Sequence, residues 1–276
     1  MIDVVCDAGA RYVKLALARP GETVRVLSAH AQDAVDLSLF AQRALSALNP
    51  GRLEAVRFYR LEEDLAERPS LLARVRAVSP LRRWAPMQQL ESKAVWLKCL
   101  SLLDQEALLL DAGALRCRVF ERLQGGTKLR VVENERCTAG GGRFVELMTQ
   151  TLGVGLEDLD LTVSAATKPA LLSSPCPVFA ESEVVSLLNA GSQREDVLAG
   201  VVNDVVDKLL ALLGRAQLGQ RPVYLVGGLG RWQCIRSRLE QQGIRLLEEL
   251  LDPLFVPCVA GLMQVQQRRQ WARIEV

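Results

Sequence analysis

The tetrapeptide Asp-Ala-Gly-Ala occurs twice in this 276-residue chain, at Asp7 and at Asp111, an offset of 111 − 7 = 104 positions. The flanks repeat with it. Residues 4–10 read VVCDAGA and residues 108–114 read LLLDAGA. After the first copy come the apolar run Tyr12 to Ala18, the turn Arg19-Pro-Gly-Glu22 and the run Thr23 to Ser28. After the second come Leu115 to Leu123, Gln124-Gly-Gly-Thr127 and Lys128 to Glu133. Short apolar runs punctuated by Asp, Gly and Pro turns predict a three-stranded antiparallel meander, made twice. Two such meanders imply an α/β fold of two related lobes facing each other across a cleft, each offering one Asp and one Gly at a hairpin tip. The expected lobes span residues 1–105 and 106–255, with a C-terminal helix, 256–276, returning to the first.

Composition supports a folded chain and narrows its class. Hydrophobic residues make up 49% and charged residues 24%, enough apolar material for a packed core and too little charge for disorder. Lys plus Arg at 34 against Asp plus Glu at 32 leaves a net charge of +2, which excludes binding driven by neutralising nucleic-acid phosphates. No stretch reaches the roughly 18 to 20 uncharged apolar residues of a membrane helix. Met1 to Gly9 carries Asp3 and Asp7 where a secretion signal would be basic, so a cytoplasmic location and no membrane partner are expected. Seven cysteines, Cys6, Cys99, Cys117, Cys137, Cys176, Cys234 and Cys258, form an odd, widely scattered set unlike a disulfide framework. Cys6, Cys99, Cys117 and Cys234 sit inside apolar patterns and read as small buried hydrophobes.

The repeated hairpin tips suit a nucleotide. Gly9 and Gly113 let backbone amides approach phosphate oxygens, and Asp7 and Asp111 can hold the water shell of a phosphate-bridging magnesium ion. A third glycine cluster, Cys137-Thr-Ala-Gly140-Gly141-Gly142, opens a helix in which Phe144, Leu147, Met148 and Leu152 recur at helical spacing before Gly153. Unpaired amides and the positive end of that helix would attract an anion, either phosphate or a negatively charged cluster held by Cys137. Ser173-Ser-Pro-Cys-Pro177 is an extended segment before the helix FAESEVVSLLNAG, closed by Gly191. Ser192-Gln-Arg-Glu195 then reads as a capping box opening a helix with Val197, Val201, Val202, Val205, Leu209 and Leu212 inward and Gly214 at its end. Pro222 to Val226 reads as a buried strand, followed by the glycine turn Gly227-Gly228-Leu-Gly230 and a helix from Arg231 to Gln242.

These motifs, Cys137-TAGGG-RF, SPCPVFAESEVVSLLNAG, SQREDVLAG and LVGGLG in that order, resemble the activator ATPases of 2-hydroxyacyl-CoA dehydratases and the related benzoyl-CoA reductase ATPase subunits, in the actin, hexokinase and sugar-kinase superfamily. The resemblance is most specific over residues 137–230. It implies two ribonuclease-H-like lobes around a nucleotide cleft, with ATP and magnesium bound there. It further implies a homodimer sharing one 4Fe-4S cluster, two cysteines from each chain, which fall on Cys137 and Cys176. Asp7 and Asp111 take the metal and hydrolytic roles. Gly9, Lys14, Gly113, Gly140, Gly141, Gly142, Gly227, Gly228 and Gly230 take the nucleotide-binding ones. A two-fold axis through the cluster doubles two thiolates to the four it needs. The implied partners are an electron donor such as ferredoxin or flavodoxin and a CoA-ester dehydratase or reductase that receives the electron.

The phosphate loops depart from that pattern. Ala10, Arg11 and Tyr12 stand where hydroxyl residues precede the lysine, here Lys14, and Gly113-Ala-Leu-Arg116 replaces a Gly-Gly-Gln-Asp run. Leu115 thus occupies the position of a water-positioning glutamine, so hydrolysis is expected to be slow or lost while binding survives. Three readings follow. They are an ATP-dependent electron-transfer activator, a catalytically degenerate accessory or binding protein of the same fold without ATPase activity, and a small-molecule kinase, for which no carboxylate base is assignable. His30 reads as a surface residue, Trp84 and Trp96 as packing of the first lobe, and Arg82-Arg83 as a solvated face.

Overall fold

The computed structural model describes residues 2–8, 11–30, 56–61, 88–103, 105–123, 126–134, 141–173, 177–268 and 274–275. Two compact units emerge. The first comprises Met1–Asp104, Gln124–Leu129 and Leu250–Val276, and the second Gln105–Leu123 and Arg130–Glu249. Their described residues give ten strands and seven α-helices.

The first unit is built on the repeat's first copy. Strands β1 (Ile2–Ala8), β2 (Tyr12–Ala18) and β3 (Val24–His30) pair antiparallel in sequence order. Strands β4 (Val56–Leu61) and β5 (Gln88–Leu90) extend the sheet beyond β1 in parallel, and β10 (Ile274–Glu275) lies beside β3. The order is β10-β3-β2-β1-β4-β5. Val13, Leu15, Ala16, Leu17 and Ala18 are all buried, so this strand is apolar on both faces rather than alternating. Helices α1 (Ser92–Ser101) and α7 (Val256–Val265) pack on each other, and α7 lies against β1 and β2. Trp96 is buried on α1 as expected, whereas Trp84 and the His30 side chain lie outside what is described. Just past α7, Gln266 donates to Asp3 at 3.0 Å, while Arg57 bonds the same buried carboxylate at 2.7 Å.

The second unit repeats the plan. Strands β6 (Leu108–Ala112), β7 (Cys117–Arg122), β8 (Leu129–Glu133) and β9 (Val223–Val226) form a sheet in the order β8-β7-β6-β9, with β6 and β9 parallel. Strand β7 begins two residues later than expected, because Gly113 to Arg116 closes as a turn through the Gly113 amide and the Arg116 carbonyl, 2.9 Å apart. Helices α2 (Gly142–Thr151), α3 (Leu159–Ser164), α4 (Pro177–Asn189), α5 (Arg194–Arg215) and α6 (Gln233–Gln241) complete the unit. The inward stripe expected of α5 holds: Val197, Val201, Val202, Val205, Leu209 and Leu212 are all buried.

Its ends do not hold. The N-cap is Gln193, with no side-chain capping bond, because the Ser192 amide closes the preceding helix onto Leu187 at 3.0 Å. The C-terminus runs through Gly214 to Arg215, and the left-handed residue that stops it is Gln217, at φ 55°. The helix expected from Arg231 divides into a 3-10 turn over Gly228–Arg231 and α6, whose amides at Gln233 and Cys234 are capped by the Asp160 carboxylate at 3.1 and 2.8 Å. That cap comes from 73 residues away in sequence and has no local signature.

Candidate functional site: two repeat-related carboxylate–base pairs

Both repeated aspartates are buried, and each is held by a cation directly opposite on the neighbouring strand. In the β1–β2 register Asp7 faces Lys14, whose ammonium donates to Asp7 Oδ2. In the β6–β7 register Asp111 faces Arg118. Arg118 Nη2 donates to Asp111 Oδ2 at 2.6 Å and its Nε to the same oxygen at 3.2 Å. None of the four side chains is more than 10% exposed. Lys14 and Arg118 are themselves 118 − 14 = 104 positions apart, the offset of the two aspartates, so the ion pair is part of the duplication. Lys14 was expected as a site residue. Arg118 was missed, because an isolated arginine in a strand reads as a solvated position, although applying the offset to Lys14 finds it.

The other side of Asp111 meets the glycine turn after β9. Gly227 has φ 88°, and a Cβ there would lie 2.6 Å from the Ala112 carbonyl oxygen and 2.9 Å from Asp111 Oδ1. Only glycine fits both the left-handed backbone and this approach. Thus Oδ2 of Asp111 is taken by Arg118, while Oδ1 lies on the side where a Gly227 side chain would begin. Gly228 has open space at its Cβ position, and the Gly230 amide closes the turn onto the Gly227 carbonyl at 3.1 Å. The Arg118 guanidinium lies 5.3 Å from the Phe120 ring centroid, a cation–π distance.

The glycine run before α2 is docked on the same hairpin. The Gly142 amide donates to the Gly113 carbonyl at 2.9 Å, and the Arg143 amide to the Ala114 carbonyl at 2.8 Å. A Cβ on Gly141 would stand 2.4 Å from the Ala114 oxygen. The expectation of unpaired amides at this helix end therefore fails for Gly142 and Arg143, whose donors are spent on the second phosphate-type loop. Leu115, at the tip of that loop, is 43% exposed.

Cys6, Cys99, Cys117, Cys234 and Cys258 are buried, as four of them were expected to be. Burial, with Asp111 nearby, pushes the Cys117 thiol up to about 12. Burial likewise pushes up the thiols of Cys234 and Cys258. Among the described residues no three His, Cys, Asp or Glu side chains gather as a metal site. Gly9, Gly140, Cys137 and Cys176 lie outside the described residues. No helix among the described residues is long and apolar enough to cross a membrane.

Residues 96–254 match the model of the BadF/BadG/BcrA/BcrD ATPase family. The (R)-2-hydroxyglutaryl-CoA dehydratase activating ATPase of Acidaminococcus fermentans is 33% identical over 132 residues, 48% of this chain and 50% of that protein. The 2-hydroxyisocaproyl-CoA dehydratase activator of Clostridioides difficile is 32% identical over 130 residues, 47% of this chain and 48% of that protein. The chain thus spans about half the length of these curated relatives. In structure, the activator of the 2-hydroxyisocaproyl-CoA dehydratase from Clostridium difficile with bound ADPNP superposes with a TM-score of 0.76 at 19% identity, covering 98% of this chain and 96% of that one. That likeness establishes the fold as that of the actin-like activator ATPases.

Proposed function

Because this chain belongs to the BadF/BadG/BcrA/BcrD ATPase family, we propose that it is an ATP-dependent, iron–sulfur electron-transfer activator of a 2-hydroxyacyl-CoA dehydratase or a related CoA-ester reductase. On this reading the two lobes are assigned to residues 1–105 and 106–255, with residues 256–276 returning to the first. Two chains share one 4Fe-4S cluster through Cys137 and Cys176 of each, and an electron donor such as ferredoxin or flavodoxin feeds it. The donor chemistry fits. Thiolate sulfur is the ligand such clusters take. The ligand pair, Cys137 and Cys176, is the one that the family resemblance implies. The cluster, when bound, supplies a one-electron carrier of low potential.

ATP and magnesium are assigned to the two hairpin tips. Asp7 and Asp111 hold the cation's waters, and Gly9, Lys14, Gly113, Gly227, Gly228 and Gly230 admit the nucleotide. Gly140, Gly141 and Gly142 are assigned to nucleotide binding with them. The observation that carries the reading is the docking of α2: its first two amides are bonded to the carbonyls of Gly113 and Ala114, and the chain running into that helix begins at Cys137.

A second reading, a degenerate accessory protein without ATPase activity, is favoured by Leu115, which has no atom able to orient a water for attack. Anaerobic purification distinguishes the two. Iron and acid-labile sulfide at about four each per dimer, lost in Cys137→Ala and in Cys176→Ala, are expected of the activator. So is ATP hydrolysis above that of Asp7→Ala in the same preparation. Cluster without hydrolysis leaves the accessory reading, and metal-free protein excludes both cluster-bearing forms.

A further inference from the structure

The duplication preserves something that fold stability alone does not require. A buried carboxylate–cation pair contributes little net stability compared with well-packed apolar residues of the same volume. Here such a pair occurs twice, at positions 7 and 14 and at 111 and 118, each pair beside a glycine-bearing turn. In the second unit the arginine is a planar fork that approaches one carboxylate oxygen through two nitrogens, and that geometry equally matches two phosphate oxygens. The carboxylate's other oxygen lies on the side where a Gly227 side chain would begin, and glycine puts none there.

We propose that Arg118 is a phosphate-binding and positioning residue of the nucleotide site: without nucleotide it neutralises Asp111, and on binding it passes its guanidinium to a phosphate oxygen while Asp111 turns to the hydration shell of the accompanying divalent cation. This rests on the nucleotide reading given above. The charges balance in both states. Before binding, one carboxylate and one guanidinium compensate each other in a low-dielectric setting. Afterwards the cation compensates the carboxylate and the phosphate compensates the guanidinium, so no buried charge is left alone at either stage. Magnesium and Arg118 therefore compete for Asp111, and the nucleotide's phosphate decides the contest by drawing Arg118 away.

Calorimetric titration with ADP, first in a chelator and then at graded magnesium, tests this on the intact chain, Arg118→Met, Arg118→Lys and the charge-neutral Asp111→Asn/Arg118→Met. Loss of one charge-assisted hydrogen bond predicts that Arg118→Met weakens ADP binding at saturating magnesium by about tenfold or more. The same variant should reach its magnesium effect at a lower magnesium concentration, because Asp111 is released. Arg118→Lys should fall between, and the double variant, which has neither the carboxylate nor the guanidinium, should lose the magnesium response. A structural role would instead lower both responses together, in step with the melting temperature, and would overturn the proposal. Unchanged ADP affinity and magnesium requirement in Arg118→Met would also overturn it while leaving the nucleotide reading intact. Wild-type protein that binds no ADP overturns the nucleotide reading itself and this proposal with it.

Discussion

Gly227 shows how a single residue can be read correctly in place and incompletely in cause. The LVGGLG run marks a glycine turn after a strand, but the reason for glycine at the first position is the Ala112 carbonyl and Asp111 carboxylate beside it. Gly227→Ala must accept a left-handed backbone and a backbone clash, and should cost about 1–3 kcal/mol in urea denaturation. Gly228→Ala, with open space around its Cβ, should stay within about 1 kcal/mol of wild type. Cys117 carries a pH prediction. Its thiol is pushed from an ordinary value of 9.0 up to about 12 by burial, chiefly, and then by Asp111. Above the ordinary value the unfolded chain releases this proton while the folded chain keeps it, so stability is fully present below that value and is lost as pH rises toward the folded one. Unfolding free energy should therefore fall with alkaline pH, and fall less steeply in Cys117→Ala. The paired aspartates were legible because the tetrapeptide repeats. Arg118 was legible only by carrying the same offset over from Lys14, and the register then places it opposite Asp111.

At the scale of elements, periodicity carried further than boundaries did. The apolar stripe of α5 was readable from its spacing, since burial of one face dictates residue type along the whole helix. Its ends were not readable, because Ser192 is used to close α4 and Gly214 is accommodated inside the helix, with Gln217 taking the left-handed conformation instead. Helix α6 depends on a cap supplied across the unit by Asp160, which bonds the amides of both Gln233 and Cys234. Asp160→Ala should destabilise the protein by about 1 kcal/mol in urea unfolding, with Asp160→Asn intermediate. A loss several times larger would mean that the carboxylate does more than cap. The docking of α2 on the second hairpin likewise escaped the sequence, because a glycine run before a helix signals an exposed anion site as readily as a close backbone contact.

For the molecule as a whole, a 104-residue offset was enough to anticipate two related sheets, each with a meander at its core. Fold similarity extends over 98% of the chain at 19% identity, so the architecture outlasts most of the side chains that fill it. The assignment of Cys137 and Cys176 to a cluster rests only on resemblance, since a lone thiol in a sequence carries no local mark of what it ligates. The proposed function requires a pair of chains enclosing one inorganic centre through Cys137 and Cys176 of each. Native mass spectrometry of oxygen-free protein addresses that assembly directly. The expected species is a dimer carrying the mass of a single four-iron cluster, which becomes lighter by that mass in Cys137→Ala and in Cys176→Ala. A metal-free monomer, or a dimer whose bound metal survives both substitutions, would contradict it.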